Sequence, residues 1–157
     1  MTVHRYESRV AWRGDTGVGY DAYDRAHEAS APPADATLRL SADPAFLGSP
    51  AALNPEQLLL VAASSCQLLS FLARAARMRL SVLAYEDRAE ASMDMDDAPA
   101  RINRIVLRPS ITVAHGSDEA RVRKAVEGAH RDCFIANTLS CEMAIEPVID
   151  VAQPSGV

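Results

Sequence analysis

Aromatic residues are few here, basic residues never form a long run, and there are only three cysteines; each shortage closes off a class of protein. No basic cluster is longer than Arg121–Lys124 and the net charge is −5, so a nucleic-acid surface is not expected. An odd number of cysteines does not make a secretory disulfide framework, and in a reducing compartment such thiols are either inert or catalytic. The opening MTVHRYESRV is polar and alternating, unlike a signal or transit peptide. No C-x-x-C pair is present, and His130-x-x-Cys133 with Cys66 falls short of a four-ligand zinc site. No Gly-rich phosphate loop follows a strand, and no repeat or linker is visible. One domain over residues 1–157, cytoplasmic and large enough to bury a core, is the expectation.

What is present is organised around residues 54–80, NPEQLLLVAASSCQLLSFLARAARMRL. Asn54 can cap a helix, Pro55 suits its first position, Glu56 favours its positive end, and Gln57 completes a capping box. No charge interrupts Leu58–Ala73, and apolar side chains fall on every side, which predicts a helix buried nearly all round. At this length the run falls short of the roughly 20 apolar residues a bilayer needs, so no membrane span is expected. Period-two patterns predict strands over 4–12, 18–23, 37–41, 83–95, 105–113 and 143–151, with a frayed tail from Ala152. Gly116–Glu119 starts a second helix with Val122, Val126, Ala129 and Cys133 on its apolar face. The order is β-β-β-α-β-β-α-β. Hairpin connections make this an α+β fold of antiparallel sheets around two helices.

Two cysteines thus stand on the apolar faces of separate helices. Cys66 could be a small core residue, a nucleophile paired with His27 or His130, or half of a redox pair with Cys133. For it to ionise at neutral pH, its pKa must fall below the free value of about 8.5. Mid-helix placement denies it its own helix N-terminus, so a guanidinium from elsewhere is expected to lower it. Cys141 is expected to pack rather than react.

The strings NPEQLLLVAASSC and DCFIANTL resemble the two cysteine motifs of the OsmC/Ohr family, the osmotically inducible and organic-hydroperoxide-resistance proteins, and the similarity extends over nearly the whole chain. Phe134 stands where many members have proline, and with YDRAH at 23–27 this is similar to the OsmC-like branch. The resemblance implies a thiol peroxidase acting on organic hydroperoxides, with hydrogen peroxide a further substrate. Cys66 would attack the peroxide and Cys133 would close a disulfide with the oxidised sulfur. Glu56 would orient an arginine over that sulfur, with Arg25 the first choice and Arg13 the second. It also implies an interwoven homodimer, no bound cofactor or metal, and regeneration by an external dithiol such as a lipoyl group. A second reading keeps the dimeric fold as a non-catalytic module for a small apolar ligand, walled by Ala45–Leu53.

Overall fold

Asn54 and Pro55 begin the long helix as their chemistry requires. A computed structural model describes residues 1–154 and places this helix, α1, at Pro55–Arg77; the end of the expected tail, 155–157, lies outside the described residues. The Asn54 Oδ1 accepts the Gln57 N–H at 2.8 Å, and Gln57 Oε1 accepts the Asn54 N–H at 3.0 Å, closing the capping box. Asn54 Nδ2 also donates to Asp43 at 3.0 Å. The chain falls into two compact units, Met1–Leu58 and Leu59–Val157.

In the first unit β1 (Arg9–Ala11), β2 (His27–Ser30) and β3 (Thr37–Leu40) form an antiparallel sheet in that order. Arg9 faces Ser30, which faces Thr37; Ala11 faces Glu28, which faces Arg39. Two expected strands are corrected. Only 9–11 of the 4–12 stretch pairs, and 18–23 is no strand. Asp15 accepts the Gly17 N–H at 2.7 Å and caps a 3-10 turn at Thr16–Val18, and Gly19 follows at φ 102°. The chain then curls onto the Arg25 guanidinium, which donates to the Tyr20 and Tyr23 carbonyls at 2.7 and 2.9 Å. The return strand is β2, in a stretch that reads as a polar connection.

The second unit holds β4 (Val82–Asp87), β5 (Glu90–Asp94), β6 (Arg101–Leu107), β7 (Pro109–Val113), α2 (Glu119–Asp132), α3 (Phe134–Thr138), β8 (Glu142–Ile145) and β9 (Val148–Val151). The three long strands expected here are each broken in two, giving the sheets β4-β7-β9 and β5-β6-β8. The breaks line up: Arg88 N–H donates to Arg108 O at 3.4 Å and Glu146 N–H to Leu107 O at 2.9 Å. Asp87, the polar residue that interrupts the period-two pattern, holds this line, taking the Arg108 N–H at 2.7 Å and the Ser64 hydroxyl of α1. The Arg108 side chain ties Glu90 and Glu146 across it at 2.8 and 2.9 Å. The expectation of purely antiparallel sheets is also corrected, because β8 and β9 run parallel to β6 and β7. Helix α2 is the crossover that parallel pairing needs.

α1 buries Ala63, Gln67, Phe71 and Ala75, a stripe with one residue per turn. Phe71 and Ala75 pack with Ile111 and Val113 of β7 and with Val122, Ala125, Val126 and Ala129 of α2. Ala63 packs on Ile105 and Leu107 of β6. The Arg74 guanidinium lies over Gly128 of α2, in the space that a Cβ there would enter. The opposite side of α1 overturns the expectation of all-round burial: Val61, Leu69 and Leu72 are 56%, 63% and 39% exposed. The helix has 23 residues, and by length and composition alone it could cross a bilayer, a length the sequence pattern had not granted it. Its buried stripe and the Gln67 Nε2 donation to Val126 O at 3.3 Å are those of a core helix.

Candidate functional site

Cys66 lies mid-way along α1, half-buried, and Cys133 is fully buried; both are free thiols. Cys133 sits where α2 stops and α3 begins. Its backbone is extended (φ −72°, ψ 114°), so it closes one helix and caps the next. Its N–H donates to His130 O at 3.2 Å, and its sulfur accepts the Ala136 N–H at 3.5 Å. This break turns the first N–H groups of α3 toward the sulfurs.

The two thiols engage each other, and their surroundings split their acidities. Burial pushes the Cys66 thiol up. The Ile135 N–H, the Cys133 S–H, the Phe134 N–H and the Ser70 hydroxyl all donate to it and more than offset that, so its pKa is lowered. Cys133 moves the opposite way. Burial raises it, its proton is held by Cys66, and negative charge on Cys66 raises it further, against N–H donors from Ala136 and Ile135. One sulfur therefore ionises first while its neighbour keeps a proton, an arrangement suited to nucleophilic attack followed by resolution.

The expectation that only a guanidinium could lower Cys66 overlooked backbone donors. α1 gives Cys66 no helix N-terminus, but the first turn of α3 brings one across. Ser70, one turn beyond Cys66 on the same face, was likewise missed, although its i+4 spacing made it legible. Phe134→Pro tests the donor set. Proline suits the first position of α3, and the extended Cys133 before it tolerates proline, yet the N–H is removed. The Cys66 pKa should rise and its alkylation at pH 7 slow by roughly tenfold, the scale of one hydrogen bond to a charged acceptor. An unchanged pH profile of iodoacetamide labelling would exclude the Phe134 N–H as a donor.

In the first unit, Arg25 and Glu56 line one cavity of about 180 Å³ with His27, Asp43 and Phe46. Besides its two carbonyl partners, the Arg25 guanidinium lies 4.0 Å from the Tyr23 ring centre and 4.8 Å from that of Tyr20. His27 Nδ1 donates to Arg25 O at 2.9 Å. Glu56 makes no ion pair among the described residues. Arg13 lines a different and larger hollow on the β1-β2-β3 sheet. His130 borders a hollow of about 510 Å³ between α2 and the β8–β9 turn, its buried Nδ1 without a hydrogen-bond partner among the described residues. Cys141 packs in the apolar cluster of Ala63, Ile105 and Leu107. Among the described residues no three His, Cys, Asp or Glu side chains gather to hold a metal ion.

Fold and thiols together define an α+β protein with an asymmetric, non-bonded cysteine pair between a long helix and a broken one. Residues 48–148 match the model of the OsmC-like protein family, and the chain belongs to that family. Among solved structures it is similar to an OsmC-like protein of unknown function from Vibrio cholerae, at 27% identity and a TM-score of 0.84, over 93% of this chain and 100% of that one. The fold is shared with the organic hydroperoxide resistance proteins of Legionella pneumophila (14% identity, TM-score 0.68, 96% of this chain and 100% of that one) and Elizabethkingia anophelis (12% identity, TM-score 0.71, 96% and 99%). No curated protein matches the chain.

Proposed function

We propose that this chain is a thiol-dependent peroxidase for organic hydroperoxides. The reading is carried by two free thiols, Cys66 on α1 and Cys133 at the α2–α3 break, that neighbour each other in surroundings that lower the pKa of the first and raise that of the second. Names of proteins sharing the fold supply the substrate class. The Cys66 thiolate attacks the distal oxygen of ROOH, the O–O bond breaks, and RO⁻ leaves and takes a proton to become the alcohol. Cys66 is then a sulfenic acid. The Cys133 thiolate attacks its sulfur, the S–O bond breaks, and the hydroxide leaves as water with the proton that Cys133 has given up.

Oxidation itself prepares that second step. Two of the causes that raise Cys133, its bond to the Cys66 thiolate and the thiolate charge, vanish once Cys66 is a neutral sulfenic acid. Burial then stands alone against the Ala136 and Ile135 N–H donors. Cys133 thus acidifies when it is needed. An external dithiol, of lipoyl type, reduces the disulfide by exchange. The reading keeps Glu56 as the residue that orients an arginine toward the reactive sulfur, with Arg25 as that arginine. It also assigns a cytoplasmic setting, where free thiols persist, and a homodimer built on the exposed apolar side of α1.

Counting thiols tests this directly. The reduced protein treated with one equivalent of cumene hydroperoxide should lose two of its three thiols, with Cys66 joined to Cys133 in the tryptic map. Retention of all three would refute the proposal.

A further inference from the structure

We propose that the face of the β1-β2-β3 sheet bearing Arg9, Arg13 and Arg39 binds a small polyanion with two or more phosphate or carboxylate groups. The register builds the site. Arg9, Ser30 and Thr37 share one row across the sheet, and Ala11, Glu28 and Arg39 share the next row on the same face. Arg39 therefore comes level with Ala11, midway along the edge between Arg9 and Arg13. Long cationic side chains rise from both edge strands, whereas the middle strand contributes Glu28 and Ser30, with Ala26 just before it.

The result is a hollow of about 630 Å³ with guanidinium groups on opposite walls. Strand spacing puts those walls roughly 10 Å apart at the backbone, a width that extended arginines close to the span of a di- or triphosphate. None of the three guanidiniums makes an ion pair or a side-chain hydrogen bond among the described residues. By contrast, Arg74, Arg88, Arg104, Arg108 and Arg123 of the second unit are all paired. Glu28 is the single carboxylate lining the hollow, so positive charge is in excess there although the chain carries −5. The Ser30 and Thr37 hydroxyls add donors beside Arg9. Free guanidiniums converging with hydroxyl groups suit bidentate capture of phosphate or carboxylate oxygens.

Calorimetric titration of the full chain with inorganic tripolyphosphate, and separately with citrate, tests the site at low salt, where screening is weakest. Saturable binding of one equivalent per chain is expected with at least one probe, and the stronger probe tells a phosphate from a carboxylate ligand. Arg9→Ala and Arg39→Ala should each weaken it about tenfold, Arg39→Lys less, and Glu28→Gln should tighten it. Arg101→Ala, an exposed arginine of the second unit, should change nothing. No saturable binding of either probe, equal affinity in the Arg39→Ala protein, or an equal loss in Arg101→Ala would overturn the proposal. Arg9 and Arg39 are exposed, so circular dichroism of the variants should match the parent.

Discussion

Cys66→Ser should reduce turnover of cumene hydroperoxide to the uncatalysed rate, a loss of at least about a thousandfold, because a serine hydroxyl does not ionise near neutral pH. Cys133→Ser should behave differently. A serine hydroxyl can still donate to the Cys66 thiolate, so the first oxidation should proceed and stop at one equivalent, with a sulfenic acid trapped by dimedone. Cys141→Ser, in the apolar cluster, should turn over as the parent does. The pH dependence separates the two steps. Because the Cys66 pKa is lowered, the rate of its oxidation should hold from high pH down past the ordinary thiol range and fall only as pH drops through the depressed value. A stopped-flow profile that instead falls at the free-thiol value would remove the basis for the mechanism, as would full turnover by Cys66→Ser.

Much of this was legible in the sequence because it rests on local rules. Asn54, Pro55 and Gln57 fix the start of α1 through contacts no more than three residues apart, and Asp118 does the same for α2, taking the Ala120 N–H at 2.9 Å. The pairing of Cys66 with Cys133 came from motif resemblance, and periodicity alone left three readings open. What stayed hidden depends on partners distant in the chain. The bend across β4–β5, β6–β7 and β8–β9 needs three strands side by side before Asp87 and Arg108 have anything to hold, though Pro109 and Pro147 at the breaks were a clue. The curl at 18–23 was masked by an alternation that Gly19 and the Arg25 carbonyl contacts override. Donation to Cys66 from Phe134 and Ile135 leaves no mark in residue type, since every residue but proline carries an N–H.

Phe71 and Leu69, two residues apart on α1, should respond to truncation unequally in an isolated chain and alike in a dimer. Phe71 is fully buried against Tyr85, Ile111, Val113 and the α2 face, with its ring centre 5.8 Å from that of Tyr85. Phe71→Ala removes that contact and leaves a cavity, costing about 3–5 kcal/mol in any assembly state. Leu69 is 63% exposed and points away from that core, and alanine is an equally good helix former. In a lone chain Leu69→Ala should therefore change stability by no more than about 0.5 kcal/mol. If a second copy covers Val61, Leu69 and Leu72, the same substitution becomes a core truncation worth about 2–5 kcal/mol. The melting temperature of the parent should then rise with protein concentration, and Leu69→Ala should flatten that dependence. Sedimentation of the two proteins over a hundredfold concentration range decides the matter: a parent that remains a monomer throughout, with Leu69→Ala neutral, would leave the apolar side of α1 without a partner in its own kind.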